Sequence, residues 1–105
     1  MKISVITVCL NSEKTIERTI KSLIGQTHNN IEYIVIDGNS KDSTVNIIKS
    51  YSKYINYFIS EKDEGLYSAL NKGIKASTGD IISILHSNDV FYNDDILKKI
   101  NNIFE

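Results

Sequence analysis

A chain of 105 residues, 41% hydrophobic and 24% charged, has ordinary globular composition and room for one domain but not two. Its formal net charge of -1, with the basic residues scattered, argues against a nucleic-acid partner. The single cysteine, Cys9, excludes an internal disulfide and a thiolate-rich zinc site; no apolar run approaches the roughly 18 residues that span a bilayer.

Helix and strand periods alternate along the chain. Ile3–Val8 is an apolar run with two isoleucines and two valines, the pattern of a strand buried on both faces, with Cys9 expected as a small packing residue at its end. Asn11-Ser12-Glu13 offers a side-chain oxygen to cap a helix whose apolar face is Ile16, Ile20, Leu23 and Ile24, ended by Gly25 as a C′ residue. His28 is expected in an exposed loop. A second unit follows: strand Ile31–Ile36, turn Asp37-Gly38-Asn39-Ser40, and a helix from about Asp42 to Tyr51 with Ile47, Ile48 and Tyr51 inward. A third has strand Tyr57–Ile59, loop Ser60–Gly65 and a helix from about Leu66 to Ala76 carrying Leu66, Leu70 and Ile74. Strand Ile81–Leu85 and a helix from about Asp94 to Phe104 complete the set, with Asn93 as cap and Ile96, Leu97, Ile100 and Ile103 apolar.

This order predicts right-handed crossovers and an α/β fold, a mostly parallel four-stranded sheet flanked by helices. Strand C-termini then share one edge, where such sheets bind ligands. Asn11, Asp37, Glu61 with Asp63, and Asn88 with Asp89 each follow a strand, giving a rim rich in carboxylate and poor in lysine. That rim suits a divalent metal or a sugar better than bare phosphate. The G-x-G-x-x-G, P-loop and G-x-S-x-G patterns are absent.

Each rim segment has two readings. Asp37-Gly38-Asn39-Ser40 is either turn chemistry or an acceptor for a nucleobase or ribose. His86-Ser87-Asn88-Asp89 is either a loop leading into the next helix or a place where Asp89 holds Mg2+ or Mn2+ against a diphosphate. Glu61–Gly65 is either a solvated charge run or a wall of the same site. Gly73, inside a helical pattern, costs about 1 kcal/mol relative to alanine, so it marks either close packing or a fraying helix.

Taken in order, Val5–Asn11, Gln26-Thr27, Ile36–Ser40 with Asp42 and Thr44, the Ser60–Gly73 series, Thr78-Gly79-Asp80 and Leu85–Asp89 resemble the N-terminal half of family 2 glycosyltransferases of the GT-A fold. The resemblance covers nearly the whole chain. It implies a Rossmann-like nucleotide-binding half, residues 1–105, without the acceptor-binding half, so further chain, another subunit or a truncation is expected. It implies a nucleotide-diphosphate sugar donor and a glycan or lipid-linked acceptor, as in bacterial surface polysaccharide synthesis. It also implies a cytoplasmic location, with peripheral contact at the inner face of the membrane left open. Val8, Leu10, Asn11, Asp37, Gly38, Asp63, Gly65 and Asn88 would contact the donor, and Asp89 would bind Mn2+ or Mg2+. Three departures stand out: Leu10 where many members stack an aromatic, Gly38 where a second acidic residue is frequent, and Asn88 in place of the first aspartate of the metal motif. The acceptor's general base lies outside the matched residues, so the alternative is a non-catalytic nucleotide-sugar-binding fragment. A phosphoacceptor receiver, the third possibility, expects an acidic pair after the first strand, and Val8–Asn11 supplies none.

Overall fold

The computed structural model describes residues 1–91 and 93–104. Four strands, β1 (Ile3–Cys9), β2 (Ile31–Asp37), β3 (Tyr57–Ser60) and β4 (Ile81–Ile84), form one sheet in the order β3-β2-β1-β4, every pair parallel. Helices α1 (Ile16–Ile24), α2 (Thr44–Ser50), α3 (Leu66–Ala76) and α4 (Ile96–Phe104) connect and cover it, with a 3₁₀ turn at Ser52–Tyr54. The expected architecture is present.

The side-chain period of two sorts the core. Ile3, Val5 and Cys9 of β1 face a layer built from Ile16, Ile20 and Leu23 of α1, Ile48 of α2 and Leu97 of α4. Ile6 and Val8 face the other way, toward Ile34, Ile36 and Ala69 of α3. Thr7 is buried too, and its hydroxyl meets the Tyr33 phenol at 2.8 Å, so neither polar group is left unpaired.

Several local expectations are corrected. Helix α1 starts at Ile16 rather than beside Asn11, because Ser12 turns the chain with its carbonyl, accepting from the Thr15 and Ile16 N–H groups. Gly25 ends α1 in a right-handed conformation (φ -76°), so no left-handed cap is used. His28 is only half-exposed, its ring 3.0 Å from the Met1 carbonyl. On α3 the inward residues are Ala69 and Gly73, while Leu66 and Ile74 are exposed. Ile103 of α4 is exposed as well. Gln26 clamps α4 instead: its amide donates to the Asn93 carbonyl (2.7 Å) and accepts from the Leu97 N–H (3.1 Å).

At the sheet's other end, Glu32 accepts from the Ser4 hydroxyl, the Thr78 N–H and the Thr78 hydroxyl, each at 2.8 Å, and lies 3.4 Å from the Lys2 ammonium. Burial alone would raise this carboxyl, but the bonds from Thr78, Ser4 and Lys2 outweigh it and lower it from 4.5 to about 2. A depressed carboxyl stabilises the fold fully above its unfolded value and loses that contribution as pH falls toward 2. Glu32→Gln should therefore flatten the urea midpoint between pH 4.5 and 2 and cost about 1–2 kcal/mol at neutral pH. An unchanged acid limb would refute the assignment.

Candidate functional site

Parallel pairing brings Cys9, Asp37 and Ser60 into register at one edge, with the chain leaving β4 beside them. The strand order runs outward from β1 to β3 and then crosses back to β4, so the switch point falls between β1 and β4. A groove of about 390 Å³ opens there, lined by Val8 and Cys9 of β1 and Leu10 just after it, Gly38 from the β2–α2 turn, and Asp63 and Gly65 from the β3–α3 loop. Leu66 and Ala69 of α3 and His86, Ser87 and Asn88 after β4 complete it.

The walls are held by hydrogen bonds between loops distant in sequence. Asn11 adopts a left-handed conformation (φ 49°); its amide oxygen accepts from the Lys41 N–H and its own N–H donates to Ser40 Oγ, both at 2.8 Å. The Ser12 N–H donates to Thr44 Oγ1 at 2.7 Å; across the same seam the Glu13 N–H donates to Asp42 Oδ2 and the Ser43 N–H to Glu13 Oε2, both at 3.2 Å. The Thr44 hydroxyl holds the Asp42 carboxyl below its usual range. On the far side, Thr19 Oγ1 of α1 lies 2.9 Å from the Ser87 carbonyl and 2.7 Å from that of Asp89, and Ser12 Oγ donates to Ser87 Oγ at 3.0 Å. Helix α1 thus fixes the loop that carries Asn88 and Asp89.

Asp37 is fully buried (0% exposed) beneath the groove. Its oxygens accept from the Ser40 N–H (2.8 Å), the Ser40 hydroxyl (2.5 Å), the Ser60 hydroxyl (2.7 Å) and the Cys9 thiol (3.3 Å). Burial first, and then the Asp37 charge, push the Cys9 thiol far up, so this cysteine is a weak donor and not a thiolate nucleophile. Gly38 leaves space where a Cβ would stand 3.3 Å from Asp63 Oδ2 and 3.5 Å from Leu10 Cδ1. Gly65 takes φ +115°, which strains any other residue, and turns the chain into α3.

Of the nine residues singled out from the sequence, Val8, Leu10, Gly38, Asp63, Gly65 and Asn88 line the groove. Asn11 and Asp37 support its walls through the bonds above, and Asp89 sits exposed one residue past Asn88. The rim is not free of lysine: Lys72 reaches in from α3 and pairs with Asp63 and Glu61. Sequence reasoning missed this lysine, as it missed Thr19, whose only signal is a polar residue beside a helix's apolar face.

Among the described residues no three His, Cys, Asp or Glu side chains cluster to enclose a metal. A hard ion such as Mg2+ or Mn2+ does not require that, since it takes one or two carboxylates and fills the remainder with substrate phosphates and water. Asp89, whose carboxylate makes no bond among the described residues, beside the Asn88 amide at the groove, fits such an open set.

The fold and groove define an α/β unit with a ligand-sized groove at its strand ends, and comparison with known proteins gives its family. The sequence pattern of glycosyl transferase family 2 matches residues 4–105, and the chain belongs to that family. An uncharacterized glycosyltransferase of Mycobacterium tuberculosis is 40% identical over 96 residues, 90% of this chain and 37% of its own length. S. aureus TarS in complex with UDP-GlcNAc superimposes with a TM-score of 0.89 at 28% identity, covering 99% of this chain and 31% of that one. The glucosyl-3-phosphoglycerate synthase of M. tuberculosis, in complex with Mn2+, UDP and glucosyl-3-phosphoglycerate, does so with a TM-score of 0.70 at 28% identity, over 82% and 33%. The sheet is that of the GT-A fold, and the chain spans about a third of the length of these relatives.

Proposed function

We propose that this chain forms the donor-binding part of a glycosyltransferase that takes a nucleotide-diphosphate sugar and delivers the sugar to a glycan or lipid-linked acceptor. The observation that carries the reading is the groove at the β1/β4 switch point, where apolar Val8, Leu10 and Leu66 can cover a base and Asp63, Ser87 and Asn88 offer polar atoms. The UDP-sugar and UDP complexes of TarS and of the glucosyl-3-phosphoglycerate synthase support it. Asp89, with Asn88, would hold Mn2+ or Mg2+; when bound, the ion supplies positive charge against the diphosphate and the departing nucleoside diphosphate. The chain's own residues orient the donor, through Leu10 and Gly38 at the base and the α1-fixed loop at the phosphates. A role in bacterial surface polysaccharide synthesis at the inner face of the membrane belongs to the same proposal; among the described residues no helix is long and apolar enough to cross a membrane.

The groove's own carboxylate, Asp63, is engaged by Lys72. This favours donor binding over acceptor activation for these residues, so the isolated chain should bind donor and turn it over slowly or not at all. Calorimetry with UDP and GDP, with and without Mn2+, tests the reading. Binding should require the metal and weaken at least about tenfold in Asp89→Ala. Asp80→Asn, at the opposite end of the sheet, should leave it unchanged. Failure of every nucleoside diphosphate to bind would overturn the proposal.

A further inference from the structure

The β3–α3 loop is fastened at both ends and nearly loose between. At its start the Ser60 hydroxyl and the Glu61 N–H bind Asp37, and at its end Gly65 turns into α3. Lys62 and Glu64 make no hydrogen bond or ion pair among the described residues. What fixes the middle is Lys72, which pairs with Asp63 Oδ1 and lies 3.0 Å from Glu61 Oε1. The Asp63 side chain is only 9% exposed and that of Lys72 26%, so this pair is less open to water than an ordinary surface bridge. Asp63, and then Glu61, raise the Lys72 ammonium above its usual range and keep it charged. With Oδ1 taken, Asp63 Oδ2 is left on the Gly38 side of the groove.

We propose that Lys72 is a positioning residue of the donor groove, clamping residues 62–64 through Asp63 and Glu61 so that Asp63 Oδ2 can accept a hydroxyl or N–H of a bound nucleoside. This rests on the donor-binding reading above. The lysine does not itself touch the donor; it sets the carboxylate that does. Glycine at position 38 belongs to the same device, because a Cβ there would crowd that oxygen.

Two readouts on the 105-residue chain test it. Amide hydrogen exchange at Glu61, whose N–H is bonded to the Asp37 carbonyl at the start of the loop, should quicken about tenfold in Lys72→Met and return to the wild-type rate in Lys72→Arg. UDP affinity in the presence of Mn2+ should fall about tenfold in Lys72→Met and recover in Lys72→Arg. The variant carrying both Lys72→Met and Asp63→Asn should bind no more weakly than Lys72→Met alone. Unchanged exchange overturns the inference, as does a double variant whose penalties multiply, since Lys72 would then act on the diphosphate directly. Loss of folding in Lys72→Met overturns it too, because a partly exposed clamp on one loop is not needed to fold. Wild-type chain that binds no UDP while the exchange pattern holds overturns the donor reading and leaves the clamp standing.

Discussion

Asp37→Ala is expected to destabilise the protein by about 3–5 kcal/mol, a large share of the total stability of a domain this size. The carboxylate is fully enclosed and accepts four bonds, from Ser40 twice, Ser60 and Cys9. Truncation leaves the buried Cys9 thiol and the partly buried Ser40 donors without their acceptor, whereas the exposed Ser60 hydroxyl can turn to water; each donor that cannot reach water costs about 1–3 kcal/mol. Asp37→Asn keeps one oxygen and should fall between wild type and alanine. Urea unfolding reads both variants, and the order wild type, asparagine, alanine is the expected result. Because Ser40 and Ser60 carry the two groove walls beside Gly38 and Asp63, nucleotide binding should decline with stability rather than ahead of it. A variant that melts like wild type yet loses UDP would show instead that Asp37 serves the ligand directly.

The central strands β1 and β2 were legible because apolar runs rich in isoleucine and valine and buried on both faces leave little ambiguity; the partly buried β3 and β4 were legible from their alternation with helices. The helix expected from about Leu66 to Ala76 is present over Leu66–Ala76. The misses share a cause: they are set by contacts between distant segments. Asn11 reads locally as a helix cap, but its amide binds Lys41, 30 residues away. Asp37 reads as a rim carboxylate, yet Ser60, 23 residues on, closes over it. Lys72 looks like a solvated helix residue until the loop folds back to bring Asp63 and Glu61 against it. For the groove itself, strand-end position was enough to find Val8, Leu10, Gly38, Asp63, Gly65 and Asn88. Which polar ends face inward and which brace the wall depends on hydrogen-bond partners that spacing does not reveal.

The inward face of α3 shows the same limit in apolar terms and leads to the second large effect. Periodicity marks Leu66, Leu70 and Ile74, the bulky residues; Leu70 does pack against the core, but the residues the helix buries are Ala69 and Gly73, and Leu66 and Ile74 are exposed. The sheet beneath presents Ile6, Ile34 and Ile36, all fully buried, and branched side chains standing that tall leave room only for small ones above. A Cβ at position 73 would lie 2.6 Å from Ile6 Cγ2 and 3.2 Å from its Cδ1. Ile6 sits on a central strand and has no free space to retreat into, so the helix must lift. Gly73→Ala is expected to cost about 2 kcal/mol even though alanine gains about 1 kcal/mol in helix propensity, and Gly73→Val about 4 kcal/mol. The strain is specific to one neighbour. Ile6→Ala alone should cost about 2–5 kcal/mol through the cavity it leaves, but in that background Gly73→Ala should become neutral or stabilising. Lifting α3 also moves Leu66 and Ala69 out of the groove wall, so the single Gly73 variants should lose UDP affinity before they unfold. A Gly73→Ala protein with a raised melting temperature and intact binding would mean that α3 tolerates a wider gap, and the close approach to Ile6 would then shape neither stability nor the groove.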